Sequence, residues 1–401
     1  MRIHFVGIGG SGISGVALLS EKSGYEVSGC DLEVSTYYKE NIIQGHDPLH
    51  VKDADLVVVS PALLYGDSLN PEILEAKKTG KLMTWQEFLG SVLLKNKKLI
   101  CIAGTHGKST TTAMAGKMLV DAGFDPTIVV GAFVPEWGGN ARFGEGEYAV
   151  VEADEFNNNF LYYYPDIAII NNIEFDHPDF FKSEKDVRES FNKFIGNLKG
   201  DKILITPEDS PHKHFNLSVM GEFNQKNANM VYVLGKKLGI NEDKIINSLE
   251  SFKGIGRRLE LIADKNGVKV YDDYAHHPTA IKATLEGVRE RYPDAKILAI
   301  CEPHGYKRTI TLLPTYKGVF NSADKVMIGP IFKARDQIDE KITPQKVAEA
   351  SCHRNILAFD SLDKLIGNCE KEIVNCDYEI IVIMGAGKSY LWAKEIAGLI
   401  V

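Results

Sequence analysis

An apolar run that breaks into glycine, lysine and serine limits this chain more than any other stretch. Lys98-Leu99-Ile100-Cys101-Ile102-Ala103 leads into Gly104-Thr105-His106-Gly107-Lys108-Ser109-Thr110, then into the helix-forming run 111–115. A buried strand that turns through glycines into Lys-Ser at a helix start aims backbone N–H groups at phosphate. The strict GxxxxGK[ST] pattern lacks its first glycine, because Ile102 stands there. What remains, GTxGKS, is still specific. Glycine turns also exist for packing alone, but a Lys-Ser pair after one has no packing purpose. Such a strand–loop–helix unit predicts an α/β fold with the loop at the carboxyl ends of the strands.

At 401 residues the chain has room for two or three domains with separate cores. Hydrophobic residues make up 44% and charged residues 25%, as in an ordinary globular protein. A net charge of −8 argues against a nucleic-acid partner, so an anionic ligand has to be held locally, by helix N-termini, a few cations and a metal ion. The six cysteines, at 30, 101, 301, 352, 369 and 376, form no CxxC pair and suggest neither a disulfide framework nor a zinc site. A reduced cytoplasm fits this usage. Met1 to Gly7 shows no signal-peptide anatomy, and no apolar run approaches the ~20 residues of a membrane span, so no membrane partner is expected.

In chain order, an apolar run at 3–6 precedes Gly7-Ile8-Gly9-Gly10-Ser11-Gly12, a GxGxxG fingerprint, and Asp31 closes the next strand where a ribose-binding acid is expected. A Rossmann-like unit kept for architecture alone is the competing reading. A further strand, 55–59, ends at Ser60-Pro61, and polar Lys95-Asn96-Lys97-Lys98 marks a boundary. In the second unit, a strand near 148–152 delivers Glu152, Asp154 and Glu155 to the sheet edge, and Glu152 is the candidate to share Mg²⁺ with the Ser109 hydroxyl. Strand 166–170 leads into Asn171-Asn172-Ile173-Glu174-Phe175-Asp176-His177. Asn224 and Asn227 share one helix face, as ligand contacts or as caps. Gly254-Ile255-Gly256-Arg257-Arg258 is the second boundary. The third unit alternates strands near 268, 297, 325 and 380 with helices. It carries Asp272-Asp273-Tyr274-Ala275-His276-His277 and Glu302-Pro303-His304-Gly305-Tyr306-Lys307-Arg308. Gly385-Ala386-Gly387-Lys388-Ser389 resembles a second P-loop but has only its GKS end and is read as a decoy.

The order GIGGSG, GTHGKSTT, EADE, NNIEFDHPD, GEFNQKN, GIGRRLE, DDYAHHPT, PHGYKR resembles the Mur ligases, the ATP-dependent amide-forming enzymes of peptidoglycan precursor synthesis, over nearly the whole chain. Within that family it is most similar to the branch that joins L-alanine to UDP-N-acetylmuramate. The resemblance implies an α/β protein of three domains: a Rossmann-like domain over 1–95, a central P-loop ATPase-like domain with a mostly parallel sheet over 96–258, and a Rossmann-like C-terminal domain over 259–401. It implies that the uridine nucleotide meets Gly7, Gly9, Gly10, Ser11, Gly12, Asp31 and Ser60. ATP then meets Gly104, Thr105, His106, Gly107, Lys108, Ser109, Thr110, Asn224, Asn227, Arg258 and Asp273. Ser109, Glu152 and His177 would hold two Mg²⁺ ions, with Mn²⁺ as a substitute, and His276, His304 and Arg308 would face the amino acid. Lys108, Glu152, His177, Arg258 and Asp273 are thus the expected catalytic set. Phe223, Gly305 and the GAGKS turn depart from the family's usual His, Arg and GAGDI. A monomer and a homodimer both suit this sequence. Three other readings stand beside this one. The first is a ligase that attaches a recycled tripeptide to the same sugar nucleotide; the others are a nicotinamide oxidoreductase, which leaves GTHGKST unused, and a non-catalytic nucleotide-binding regulator.

Overall fold

The computed structural model describes all residues except 33–37, 39–41, 67–68, 335, 375–377 and 401, so Cys376 lies outside it. It divides into two compact units: Met1–Glu174 with Lys185–Asn216 and Lys226–Lys253, and Phe175–Glu184 with Leu217–Gln225 and Gly254–Val401.

The first unit contains two sheets. One is five-stranded, formed by β1 (Arg2–Val6), β2 (Glu26–Asp31), β3 (Ile42–Gln44), β4 (Leu56–Val59) and β5 (Leu82–Thr84) in the order β3-β2-β1-β4-β5, all parallel. The other has β6 (Lys98–Ala103), β7 (Thr127–Val134), β8 (Gly139–Arg142), β9 (Tyr148–Glu152), β10 (Ile167–Ile170) and β11 (Ile203–Ile205) in the order β11-β10-β6-β9-β7-β8, with only β8 antiparallel. Covered on both faces, β6 is apolar from Leu99 to Ala103, as a central parallel strand must be. Both sheets are tied together through the helix Ser11–Lys22. Gly15 of that helix lies so close to the β7–β8 hairpin that a Cβ there would stand 2.9 Å from Ala141 Cβ, and the Asn140 amide donates to Ser14 Oγ at 3.1 Å.

The second unit is built on β12 (Glu260–Lys265), β13 (Val268–Asp273), β14 (Ile297–Cys301), β15 (Lys325–Ile328), β16 (Ile356–Ala358) and β17 (Ile380–Met384), in the order β12-β13-β17-β14-β15-β16 with β12 antiparallel. Apolar clusters cover both of its faces, one around Ile281, Leu285 and Phe320, the other around Leu365, Trp392 and Ile396. No described helix is long and apolar enough to cross a membrane.

Candidate active site

Register decides what surrounds the 104–109 turn. β6 runs between β9 and β10, with Ile102 opposite Glu152 and Ala103 opposite Ile170, so three strand ends open at one rim. Gly104 and Gly107 take φ of +143° and +84° there. Gly107 has a second reason to be glycine, since a Cβ would meet the Asn171 and Asn227 amides at 2.6 and 2.7 Å. The turn is framed by residues just past β10. Asn172 accepts from His106 N–H at 2.8 Å and donates to its carbonyl at 3.0 Å, while Asn171 donates to Thr111 Oγ1 and Asn227 Oδ1. Thr105 Oγ1 donates to the Glu174 carbonyl and accepts from the Glu174 N–H.

Ser109 Oγ donates to Glu152 Oε1 at 3.0 Å, and Glu152 Oε2 accepts from Gly131 N–H at 2.6 Å. A hydroxyl and a carboxylate side by side are hard oxygen donors, the set that suits Mg²⁺. Lys108 Nζ donates to Glu155 at 2.8 Å and to the Gly104 carbonyl at 2.7 Å. Against burial, which lowers it, the carboxylates of Glu155, Asp154 and Glu152 raise the Lys108 ammonium to about 12. Burial, opposed by Lys108 and helped by Asp154, pushes Glu155 up to about 7. The acids that surround it thus raise Lys108, whereas burial is what raises Glu155. Among the described residues, no side chain accepts from the N–H of Gly107, Lys108 or Ser109.

In the five-stranded sheet, the Gly7 and Ile8 N–H groups donate to the Cys30 carbonyl, and Gly9 N–H donates to Asp31 Oδ2 at 2.8 Å. Gly10 and Ser11 stand at the start of the helix Ser11–Lys22, which runs on through Gly12. Ser60 follows β4, its N–H donating to the Val6 carbonyl.

Other predicted residues fall in the second unit. Arg308 Nε donates to Asp176 at 2.8 Å and its terminal nitrogen donates to His177 Nδ1 at 3.2 Å. Against the cost of burial, His177 and Arg308 hold Asp176 well below the usual carboxylate range. His177 itself sits at φ +54°, in the left-handed region. His276 and His304 have ring centres 5.3 Å apart, and His304 stacks on Phe332. His276 Nδ1 donates to the Tyr274 carbonyl at 2.9 Å, and burial, then the Arg308 charge and His304, hold this imidazole well below its ordinary value. It is therefore neutral, with Nε2 unprotonated. Asp273 is turned inward, accepting from Leu259 N–H, Ala275 N–H and Thr284 Oγ1, while Arg258 lies over the Tyr274 ring. Asn224 donates to the Met220 carbonyl, one turn from where Asn227 meets Asn171.

The GAGKS turn receives a carboxylate of the chain itself. Glu302, one residue past β14, accepts from the N–H of Gly387, Lys388 and Ser389 at 2.9, 3.1 and 3.3 Å. Sequence reading placed Glu302, Glu155, Asn171 and Asn172 just past their strands but assigned none of them a partner. The only local signal was an acid or amide directly after a strand.

A mostly parallel α/β protein whose P-loop lysine and serine are each engaged by an acid defines a phosphate-handling enzyme. This chain belongs to the Mur ligase family. Family models match "Mur ligase family, catalytic domain" over 2–95, "Mur ligase middle domain" over 102–249 and "Mur ligase, glutamate ligase domain" over 257–387. The UDP-N-acetylmuramate–L-alanine ligase of Anaeromyxobacter sp. (strain Fw109-5) is 33% identical over 453 aligned residues, covering 100% of this chain and 98% of that protein. A solved UDP-N-acetylmuramate–alanine ligase from Thermotoga maritima matches with a TM-score of 0.80 at 24% identity, over 99% of this chain and 98% of the other. A murein peptide ligase from Psychrobacter arcticus 273-4 matches at 0.72 and 24% identity, over 100% and 99%. These two likenesses speak to the fold.

Proposed function

We propose that this chain joins L-alanine to the carboxylate of UDP-N-acetylmuramate at the expense of ATP. The observation that carries the reading is the pairing of Lys108 and Ser109 with Glu155 and Glu152 around a turn where, among the described residues, no side chain accepts from the N–H of Gly107, Lys108 or Ser109. The name of the 33%-identical relative supports the choice of substrates. A carboxylate is a poor electrophile, so its oxygen first attacks the γ-phosphorus, and ADP leaves as the bridging P–O bond breaks. The amine nitrogen then attacks the acyl carbon of the resulting acyl phosphate, phosphate leaves, and the nitrogen loses its proton.

Lys108 exchanges Glu155 for phosphate oxygens and, with the helix N–H groups, offsets charge during transfer. Ser109 and Glu152 are the residues to hold Mg²⁺, which supplies charge neutralisation at the phosphates when bound. His177 is proposed for a second ion, and Mn²⁺ as a replacement. Asn227, Asn224, Arg258 and Asp273 serve the nucleotide, directly or by fixing the backbone around it, and the glycine turn 7–12 with Asp31 and Ser60 serves the uridine nucleotide. Arg308 and His304 are proposed for the amino-acid carboxylate, and the neutral His276 as acceptor of the ammonium proton that alanine must lose before attack. The division into domains at 1–95, 96–258 and 259–401 belongs to the same proposal.

Phosphate release with ATP, Mg²⁺ and UDP-N-acetylmuramate tests it, with L-alanine, L-serine, glycine and the recycled tripeptide as acceptors. L-alanine is expected to be the best. Release with the tripeptide alone replaces the acceptor, and silence with all four overturns the ligase reading.

A further inference from the structure

One face of the five-stranded sheet carries a cluster that the phosphate chemistry does not use. His4 and Ser28 are register partners on β1 and β2, and Cys30, two residues on, shares their face. Glu72 joins them from the first turn of the helix Pro71–Thr79, which Asn70 caps. Its carboxylate is fully buried and accepts from the Cys30 thiol at 3.0 and 3.1 Å, from His46 Nδ1 at 2.8 Å and from His50 Nδ1 at 2.6 Å. Among the described residues, no lysine or arginine pairs with it.

A second observation concerns His4, which is 1% exposed. Its Nδ1 hydrogen-bonds Ser28 Oγ at 2.9 Å, while Nε2 faces Glu72 at 3.8 Å and has no hydrogen-bond partner among the described residues. A buried polar nitrogen left unpaired costs free energy unless something else meets it. Burial lowers this imidazole to about 4, so it is neutral at neutral pH, the form that ligates metals.

We propose that His4 Nε2, Cys30 Sγ, His50 Nδ1 and one Glu72 oxygen form a binding site for a single Zn²⁺ ion. One ligand atom from each of these four residues lies within 4.8 Å of the others, and His4 Nε2 and His50 Nδ1 are 3.8 and 2.6 Å from the same Glu72 oxygen. A tetrahedral ion with bonds of about 2.0–2.3 Å sets its ligands roughly 3.3–3.8 Å apart, so the cluster has only to open or close by about an ångström or less. One thiolate, two imidazoles and one carboxylate favour Zn²⁺ over Mg²⁺, which prefers oxygen donors. Four protein ligands make a closed, structural site. His46 is a positioning residue, because its ring touches both Glu72 and Cys30 at 3.3 Å or less. Access runs past His46 and His50, whose side chains are 10% and 18% exposed. On binding, the S–H bond of Cys30 and the Nδ1–H bond of His50 break, the sulfur and nitrogen keep the electron pairs as ligands, and two protons leave to solvent while the His50 ring takes one back at Nε2. Cys30 also holds the 7–12 turn through its carbonyl, so the ion steadies the backbone that starts the glycine fingerprint.

The full-length protein, purified without a histidine tag and stripped with a chelator, is titrated with Co²⁺ and then Zn²⁺. We expect a thiolate-to-cobalt charge-transfer band that saturates at one ion per chain, is displaced by Zn²⁺ and persists in excess Mg²⁺. Cys30→Ser abolishes the band, and His46→Ala weakens Zn²⁺ by about 10–100-fold in chelator competition. Slower exchange of the Gly7 and Ile8 amides on loading is the second expected signature. X-ray absorption of the zinc-loaded wild type does not depend on a variant folding and should show one sulfur at about 2.3 Å. A nitrogen–oxygen shell without sulfur, or a band unchanged in Cys30→Ser, overturns the site and leaves the cluster a hydrogen-bonded network.

Discussion

At 104–109 and again at 385–389, a parallel strand in mid-sheet ends in glycine and enters a helix through Lys-Ser. The two turns use that shared chemistry differently. Glu152 is registered opposite Ile102, two residues before Gly104, and its carboxylate reaches the Ser109 hydroxyl. Glu302 follows Cys301, which is registered opposite Met384, so it stands level with Gly385, two steps farther along relative to the first glycine, and reaches the turn's N–H groups instead. Gly387 permits that approach: a Cβ there would come within 2.6 Å of the Glu302 carboxylate. The first loop is also one residue longer between strand and lysine, with glycines at positive φ that Gly385 and Gly387 do not share. A flanking acid in one register leaves helix N–H groups for a ligand, and in another takes them for the fold.

The largest expected effect is the gap between two lysine variants. Lys108→Ala should cut ATP-dependent phosphate release by about 10²–10³-fold. Lys388, exposed and contributing only its N–H to Glu302, should tolerate Ala with less than about a twofold change. Similar losses in both would break the comparison.

Next is a pH effect at the first turn. Glu155 rises from 4.5 to about 7 on folding, so between those values the folded chain binds the extra proton. The associated stability is complete below about pH 4.5 and is lost as pH rises through 7, up to roughly 3 kcal/mol. Glu155→Gln should flatten that slope in denaturation midpoints measured from about pH 5 to 8; parallel slopes in variant and wild type would count against it.

The smallest effect sharpens the other side. Glu302→Ala leaves three N–H groups without their acceptor and should ease opening of residues 387–389 by about 1–3 kcal/mol, read by amide hydrogen exchange. Unchanged protection would mean that the carboxylate is not what holds this turn.

Most strands that lie inside a sheet could be read from the chain, because burial on both faces writes a largely apolar run: β1, β4, β6, β9, β10, β14, β15 and β17 all lie where such runs stand. Short or half-exposed edge strands were not legible. β3, β11, β12 and β16 owe their pairing to neighbours rather than to a pattern of their own. At the phosphate turn, spacing alone set Gly107, Lys108 and Ser109 together at a helix start. Which acid meets which of them needed the offset between β6 and β9 and the kinked turn after Glu152, where Asn157 and Asn158 take positive φ. The same holds for His4, Cys30, His50 and Glu72, whose separations match no ligand motif; only the β1–β2 register and the docking of one helix bring their donors within 4.8 Å.

By itself, then, the sequence determined the α/β class, the central strands and the Gly-Lys-Ser helix starts, because local apolar runs, glycines and helix formers act over a few residues. Tertiary structure decided which of two similar turns keeps its N–H groups for a ligand. That choice rests on a two-residue difference in where a neighbouring strand's acid falls relative to the turn's first glycine, and such an offset exists only once the strands are paired.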